Sequence, residues 1–373
     1  TSASSARTTS VRVHPTSRCI IIEINNSGIS IPERGTTMTR PFKGEENMKA
    51  LLCTAFGPLE KLTIQEIPKP RPGPGQVLLD VKASSLNFPD ALMAQGLYQV
   101  KPPLPFSPGT EMAGVIVETG ADVQGFKPGD RVIAIAGWGG FAEECAVDVG
   151  GLIPMPEGLD FDTGAAFLYT YETSLHGLRD RGRLKAGETL LVLGAAGGVG
   201  LAAIEIGKAM GAFVIAAASS EDKLALCKQL GADETINYVS ENLRDRINEL
   251  TGRRGVDIVF DPVGGSYTET ALRATAWGGR LLVVGFAAGD IPKIPINLAL
   301  LKERSIVGTY LGESVKHDPE GHLRNVKQLV EWLAAGKVKP VISERVPLSE
   351  AVAAMKRMIN RQVKGKVVIL PET

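Results

Sequence analysis

Residues 187–223 constrain the fold of this chain more than any other stretch of its sequence. Thr189–Leu193 is a short run of mostly branched apolar residues, which is typical of a strand buried on both faces of a parallel sheet. A glycine-rich turn over 194–200 follows at once, and 201–210 has the composition of a helix. Phe213–Ala218 is a second apolar run, at the spacing expected for the next parallel strand. The stretch therefore predicts a strand, helix, strand unit.

The glycine-rich turn also has the composition of a phosphate-binding loop. Gly197, Gly198 and Gly200 allow a tight turn that comes close to a bound pyrophosphate, whose charge is favoured by the free amides of the following helix. The match to the dinucleotide-binding pattern is imperfect, because Ala195 stands where its first glycine would be. The alternative is a close-packed turn without a ligand, but the flanking strand and helix supply the context that the pattern requires. We predict a dinucleotide site.

The end of the second strand bears on the choice of cofactor. Ser219 and Ser220 stand where an acidic residue would hold the ribose of NADH, and Lys223 follows one turn into the next helix. Small hydroxyls with a nearby cation leave room for a 2′-phosphate, so the sequence favours NADPH with Lys223 paired to that phosphate. Two alternatives remain for Glu221 and Asp222. They could bond a ribose diol, or they could complement the dipole of a helix capped by Ser220.

Composition excludes several classes of partner. The chain has 373 residues, 44% of them hydrophobic, and its 41 Lys and Arg balance its 41 Asp and Glu. This composition is that of a globular protein, and the length favours two domains. No nucleic-acid partner is predicted, because there is no basic excess to displace counterions from phosphates. No apolar run reaches the roughly 18 residues of a membrane span.

The cysteines and histidines bear on compartment and metal binding. The four cysteines are far apart and form no C-x-x-C pair, which is typical of free thiols in a reducing compartment. The four histidines are not spaced with them as in a metal cluster. We therefore predict a cytoplasmic protein without a metal site.

Residues 1–47 differ in composition from the rest of the chain. They are rich in Ser, Thr, Arg and Asn and show almost no periodic apolar pattern, so we expect a disordered leader or an added extension. Arg7, Arg12 and Arg18 with few acids are also typical of a mitochondrial presequence. The mitochondrial matrix is therefore the alternative location.

The remaining chain predicts two interleaved domains. Residues 48–170 contain short strands separated by Pro- and Gly-rich turns, which indicates a β-rich domain. Residues 171–310 contain six strands alternating with helical segments, which predicts a doubly wound parallel sheet that binds the cofactor. Residues 311–373 return to the character of the first domain, so the nucleotide-binding domain is expected to be inserted within it.

Several motifs resemble those of the medium-chain dehydrogenase/reductase superfamily, and within it the zinc-free NADPH:quinone oxidoreductases, the zeta-crystallin group. The resemblance covers Met48–Pro371. Its motifs are Asn87-Phe-Pro-Asp, Pro108-Gly-Thr-Glu-Met-Ala-Gly, Lys127-Pro-Gly-Asp-Arg-Val, Ala195-Ala-Gly-Gly-Val-Gly, Ile236-Asn-Tyr, Asp261-Pro-Val-Gly-Gly and Gly365-Lys-Val-Val. The resemblance implies an α/β fold with a GroES-like β-rich domain and a Rossmann domain, and a homodimer joined through the nucleotide-binding domains.

The resemblance also implies that zinc is absent. Alcohol dehydrogenases of this superfamily have a zinc-ligating Cys where this chain has Asn87, and Gly-His-Glu where it has Gly109, Thr110 and Glu111. Amide and hydroxyl groups are poor zinc ligands compared with thiolate and imidazole. Neither zinc nor flavin is expected.

Site residues follow from the same resemblance. Tyr98 is expected to face the substrate and to hydrogen-bond the carbonyl that gains charge, and Asn87 is the second catalytic candidate. Family positions that come close to the cofactor correspond here to Phe286 and Lys366. Those that line it correspond to Asn87, Thr173, Gly197, Gly198, Val199, Ser219, Lys223 and Tyr238.

Simpler roles remain open for four of these residues. Asn87 could satisfy a turn, Tyr98 and Tyr238 could pack against the core, and Thr173 could bond a carbonyl of its own helix. Glu172 is a departure, because relatives tend to have a small or apolar residue there. Its charge would either perturb the site or point away from it.

The sequence thus predicts a flavin- and zinc-independent NADPH:quinone oxidoreductase with a small quinone or enone substrate. A 2-alkenal or enoyl-thioester reductase is the alternative, because the same scaffold and cofactor serve both reactions. A further alternative is a non-catalytic NADPH-binding protein.

Overall fold

A six-stranded parallel sheet and a seven-stranded mixed sheet organise residues 46–371, the part of the chain that the computed structural model describes. The expectation for residues 1–47 lies outside this part except at its last two positions, and Asn47 already begins the first strand. No helix within residues 46–371 is long and apolar enough to cross a membrane.

The amino-terminal segment is β-rich, as predicted. Its strands are mostly short and are separated by turns in which glycines adopt positive φ angles, such as Gly75 and Gly129. In chain order its elements are β1 (Asn47–Leu52), β2 (Thr63–Pro68), β3 (Gln76–Ser85), α1 (Phe88–Ala94), β4 (Glu111–Thr119), β5 (Arg131–Ile135), β6 (Glu144–Asp148) and β7 (Leu152–Pro154).

The central segment alternates strands and helices. Its elements are α2 (Phe161–Ala165), α3 (Leu168–Leu175), β8 (Thr189–Leu193), α4 (Gly198–Ala209), β9 (Phe213–Ala218), α5 (Glu221–Gln229), β10 (Glu234–Asn237), α6 (Leu243–Leu250), β11 (Val256–Asp261), α7 (Ser266–Arg273), β12 (Thr275–Val283), α8 (Asn297–Leu300) and β13 (Ser305–Gly308). A π-helical turn, His176–Arg181, extends α3.

The carboxy-terminal segment contributes two strands to the seven-stranded sheet. It contains α9 (Leu311–His317), α10 (Pro319–Ala334), β14 (Ile342–Pro347), α11 (Ala351–Ile359) and β15 (Lys366–Leu370). Strand β15 pairs antiparallel with β3, where Val368 faces Ser85, and β14 pairs parallel with β15. The strands of the six-stranded sheet therefore come from one stretch of the sequence. The segments before and after that stretch both contribute strands to the seven-stranded sheet. The domain boundaries near 170 and 310 stay a prediction.

The six-stranded sheet has the predicted doubly wound topology. Its strand order is β10-β9-β8-β11-β12-β13, and every pairing is parallel. All five residues of β8 are buried, which explains why its sequence is almost entirely apolar instead of alternating. The chain reverses direction across the sheet next to β8, which places the glycine-rich turn at the position where such folds bind ligands. The fold class is confirmed.

Helix α1 was not predicted, because Asn87-Phe-Pro-Asp reads locally as a turn. Asn87 is instead its N-cap and Pro89 lies in its first turn. The Asp90 carboxylate accepts a hydrogen bond from the Asn87 amide at 2.7 Å. Position 87 is thereby placed at the start of a buried helix.

Candidate active site and cofactor cleft

The glycine-rich turn after β8 has the geometry of an anion site. Gly197 is the N-cap of α4, and no side chain among residues 46–371 caps it, so the first amides of the helix are free for a ligand. A Cβ atom on Gly200 would lie 2.6 Å from the Gly194 carbonyl oxygen, so only glycine fits there. A Cβ on Gly197 would meet only that same oxygen at 3.5 Å. The open side of the turn fits a pyrophosphate.

The same turn joins the two sheets. The Gly365 amide donates to the Ala196 carbonyl at 2.8 Å, and Gly197 and Gly365 form an isolated parallel bridge. A Cβ on Gly198 would lie 3.0 Å from Cδ of Lys366. The start of β15 therefore packs directly against the predicted phosphate-binding loop.

A buried polar cluster lies beneath this junction. Lys366 Nζ donates to Asn87 Oδ1 at 2.5 Å and lies 3.5 Å from Glu111 Oε2. Asn87 Nδ2 donates to Thr110 Oγ1 at 3.2 Å, and the Thr110 amide donates to Asp90 at 2.9 Å. All five residues are buried. The simpler role left open for Asn87 was to satisfy a local turn. Its contacts with Thr110 and Lys366 go beyond that role, because both partners are distant in the sequence.

Burial and charge oppose each other in this cluster. Burial lowers the pKa of the Lys366 amine, while the Glu111 and Asp90 carboxylates act to raise it. Burial raises the pKa of Asp90 to about 7, against the hydrogen bond from the Asn87 amide and the charge of Lys366. The Lys366 amine and the Asp90 carboxyl group therefore each favour the charged form of the other.

The donor set of this cluster does not fit zinc. Asn87 and Thr110 offer an amide and a hydroxyl, which are poor zinc ligands. The side-chain oxygen of Asn87 also already accepts a hydrogen bond from the Lys366 amine. In the described part of the chain, no group of three or more His, Cys, Asp and Glu side chains could hold a metal ion.

Three tyrosines stand close together in front of the buried cluster. Tyr98 packs against the core of the β-rich segment, and it lies near Tyr169 on α3 and near Tyr310. Burial is the main cause that raises the pKa of Tyr98, and Tyr310 adds to it. Tyr169 was not anticipated from the sequence. It could have been found from its spacing, because Tyr169 lies four residues before Thr173 and therefore on the same face of a helix.

Thr173 and Val199 lie where α3 meets α4. The Thr173 hydroxyl donates to the Tyr169 carbonyl at 2.7 Å, which is the bond within its own helix that the sequence left open. The neighbouring Ser174 hydroxyl donates to the carbonyl of Val199 at 2.9 Å. The two helices are thus tied together beside the glycine-rich turn.

The cofactor's predicted adenosine end is marked by convergent polar groups. Lys223 Nζ donates to Ser219 Oγ at 3.1 Å and to the Arg361 carbonyl at 2.8 Å. Burial is the main cause that raises the pKa of the neighbouring Tyr238, and the nearby Arg361 charge opposes it. Arg361 was missed, although it lies in a basic run just before Gly365. Lys223 and Ser219 therefore form one polar position at the end of β9, next to the backbone of Arg361.

Both nearby acids are engaged elsewhere. Asn237 Nδ2 donates to Glu221 Oε1 at 2.7 Å. Asp222 accepts hydrogen bonds from Ser220 and, at 3.0 Å, from Lys364. This arrangement favours the structural role that the sequence left open for the two carboxylates.

Phe286 and Glu172 contact different parts of the structure. Phe286 is 37% exposed and contacts the loop after β11, where a Cβ on Gly264 would come within 2.9 Å of its ring. Glu172 is buried and its Oε1 lies 2.5 Å from Nδ1 of His322 on α10. The charge of Glu172 is therefore directed toward α10. The roles of the predicted site residues stay predictions.

Comparisons with known proteins agree with this architecture. Residues 73–157 match the alcohol dehydrogenase GroES-like domain family, and 198–333 match the family described as zinc-binding dehydrogenase. A quinone oxidoreductase-like protein 2 homolog from Nematostella vectensis is 37% identical over 332 residues, which is 87% of this chain and 90% of that protein.

Two solved structures add to the comparison. A mycobacterial protein complexed with NADPH is 28% identical with a TM-score of 0.82, over 87% of this chain and all of its own. The CurK enoyl reductase is 26% identical with a TM-score of 0.79, over 87% of this chain and 99% of its own.

The fold and cleft are those of a medium-chain dehydrogenase/reductase, an oxidoreductase built from a GroES-like and a Rossmann-like sheet. Within that superfamily the chain belongs to the quinone oxidoreductase family.

Proposed function

We propose that this protein transfers hydride from NADPH to a quinone, without a catalytic zinc and without a flavin. Two observations carry the proposal. One is the glycine-rich turn with an uncapped helix start, and the other is Tyr98 with its neighbours Tyr169 and Tyr310. The first suits a dinucleotide, and the second suits an oxygen that gains charge.

NADPH is favoured over NADH by the groups at the end of β9. Lys223, Ser219 and the nearby Arg361 offer cationic and hydroxyl groups to a 2′-phosphate. Glu221 and Asp222, which could have bonded a ribose diol, are held by Asn237 and by Ser220 and Lys364. The NADPH complex of a structural relative supports the same assignment.

A quinone suits a cleft whose polar groups are hydrogen-bond donors instead of zinc ligands. The nicotinamide would supply the hydride. The protein's task is then to align an acceptor that is already electron-poor and to exclude water. In this proposal Tyr98 donates to the oxygen of that acceptor, and the buried hydrogen bond from Lys366 to Asn87 supports the polar cluster beneath the glycine-rich turn.

The test is NADPH oxidation with a panel of ortho- and para-quinones, run in parallel with NADH. Turnover of at least one quinone, with NADPH preferred, is expected. Tight binding of NADPH without turnover of any quinone or enal would instead make the protein a non-catalytic NADPH-binding protein.

Reduction of a conjugated carbon–carbon double bond is the second candidate. It is favoured by the similarity to an enoyl reductase structure, and Tyr98 would serve an enone oxygen equally well. The ratio of kcat/KM for a quinone and for a 2-alkenal decides between the two, because both use the same cofactor.

We also propose a homodimer joined through the six-stranded sheets. Strand β13 is at one end of that sheet, and its residues are largely exposed. Trp277, at the start of the neighbouring strand, is 69% exposed. An open sheet edge flanked by exposed apolar residues is suited to pairing with a second copy. Cytoplasmic location stays a prediction.

A further inference from the structure

Glu111 on β4 holds the start of helix α3. Its Oε1 accepts a hydrogen bond from the Tyr169 amide at 2.8 Å, and Tyr169 is the second residue of α3. The first amides of a helix have no partner within the helix, and the N-cap residue, Phe167, makes no side-chain hydrogen bond to them. A carboxylate 58 positions away therefore takes the place of the cap, and its charge complements the helix dipole.

The second carboxylate oxygen of Glu111 holds the start of β15. Glu111 Oε2 accepts from the Ser85 hydroxyl at 2.8 Å and lies 3.5 Å from Lys366 Nζ. Lys366 is the first residue of β15, and it is buried together with Glu111. One carboxylate therefore joins β4 to the starts of two elements, α3 and β15, that are distant from each other in the sequence.

Both of these elements pack against the glycine-rich turn. A Cβ atom on Gly198, the first residue of α4, would lie 3.2 Å from Cγ2 of Thr170 and 3.0 Å from Cδ of Lys366. Thr170 lies in the first turn of α3, and Lys366 begins β15. The absence of a side chain at position 198 therefore lets both neighbours approach the backbone of the turn.

We propose that Glu111 is a positioning residue for the dinucleotide: it acts through Thr170 and Lys366 to hold the glycine-rich turn in the geometry that receives the pyrophosphate. This inference rests on the proposed function, because it requires that the turn binds NADPH. The first amides of α4 hold a pyrophosphate only when they converge on it, and a misplacement of about 1 Å weakens such contacts strongly.

The test measures the Kd of NADPH and of NADH in the wild type and in Glu111→Gln by fluorescence titration, well below the Tm of each protein. The glutamine keeps an oxygen for the Tyr169 amide but removes the charge that faces Lys366. Both Kd values are expected to rise about tenfold, because the two dinucleotides share the pyrophosphate. Lys223→Ala differs, because it is expected to weaken NADPH alone.

A cofactor fragment separates positioning from a general loosening of the cleft. Adenosine 2′-monophosphate carries the adenosine and the 2′-phosphate but no pyrophosphate. Its Kd from calorimetric titration should be the same in the wild type and in Glu111→Gln, because it does not reach the glycine-rich turn. In turnover, the KM for both dinucleotides should rise while kcat at saturating dinucleotide changes less than about twofold, as when binding common to the ground and transition states is lost.

Two further variants complete the test. Thr170→Ala removes one contact at the Gly198 position without altering the buried charges, and it decides the question if Glu111→Gln does not fold. The loss of one methyl contact should raise both Kd values about threefold. Glu205→Gln is the matched control, because this buried carboxylate accepts from the Lys339 amide at 3.0 Å at a later turn of α4. It should leave both Kd values as in the wild type.

The outcomes separate the inference from the proposed function. Unchanged Kd values in Glu111→Gln, or in Thr170→Ala if the first variant does not fold, would overturn the positioning role. Equal weakening of the adenosine 2′-monophosphate fragment, or of the dinucleotides in Glu205→Gln, would also overturn it, because the whole cleft would then be loosened. A wild type that binds NADPH but reduces no quinone or enal would overturn the proposed function alone, because the binding measurements require no turnover.

Discussion

Lys366 Nζ lies 2.5 Å from Asn87 Oδ1, although the two residues are 279 positions apart in the chain. The contact joins the last strand of the chain to the start of α1, directly beneath the glycine-rich turn. It fixes how the amino- and carboxy-terminal segments meet the nucleotide-binding sheet.

Lys366→Met is expected to lower the free energy of unfolding by about 3–5 kcal/mol. The variant removes the buried amine and leaves the Glu111 carboxylate, which is fully buried, without a cation. Urea unfolding at neutral pH measures the change. Lys364→Met is the control, because Lys364 pairs with Asp222 at the surface and should cost at most about 1 kcal/mol. Equal costs for the two variants would contradict this account.

Lys223→Ala is expected to weaken NADPH binding roughly tenfold to a hundredfold, the range of one charge-assisted hydrogen bond. NADH binding should hardly change, because NADH lacks the 2′-phosphate. Dissociation constants for both cofactors from fluorescence titration measure the difference. Lys228→Ala is the control on the same helix, because Lys228 bonds the Asp233 carbonyl outside the cleft. If NADPH and NADH weaken equally, Lys223 is not the phosphate partner.

The Glu172 and His322 pair is expected to make stability depend on pH. The hydrogen bond to Glu172 is the main cause that raises the pKa of His322, and burial opposes it. The folded protein therefore holds the proton more tightly than the unfolded chain. The pair's contribution is fully present below the unfolded pKa of about 6.5 and is lost as the pH rises through the folded value.

Tm measurements from pH 5.5 to pH 9 in wild type and His322→Gln test this sign. The gap in Tm between the two proteins should be largest at the acidic end and should narrow as the pH rises. Glu172→Gln should show the same narrowing, because it removes the partner of the same bond. A gap that widens with pH would contradict the assignment.

Ile306→Lys is expected to convert the proposed dimer into a monomer. Ile306 lies on the edge strand β13 and is 39% exposed, so a lysine there places like charges opposite each other across a symmetric strand pair. Light scattering after gel filtration gives the mass. Leu323→Lys on α10, which is also exposed, should leave the dimer intact. A monomeric wild type would refute the proposed dimer.

Much of the fold follows from local patterns. Two strands of the parallel sheet, β8 and β9, begin and end at the predicted residues. Each is a short, mostly apolar run bounded by turn residues or by a helix, and burial on both faces demands such a run.

Only the part of the site that is formed by one short sequence motif could be predicted. The glycine-rich turn needs glycines because neighbouring backbone atoms come close, and this requirement is visible in the sequence. The partners of Lys223, by contrast, include Arg361, which lies 138 positions away. No periodicity links two such positions, so Arg361 was overlooked.

The sequence by itself determined the doubly wound sheet, the β-rich surroundings and the phosphate-binding turn, because strand burial and close backbone approach impose local requirements on residue type. Only the tertiary structure decided that Glu172 turns toward His322 and that Lys366 reaches Asn87. These contacts join residues from separate segments, and each forms only when the packing of the two sheets brings buried polar groups within hydrogen-bonding distance.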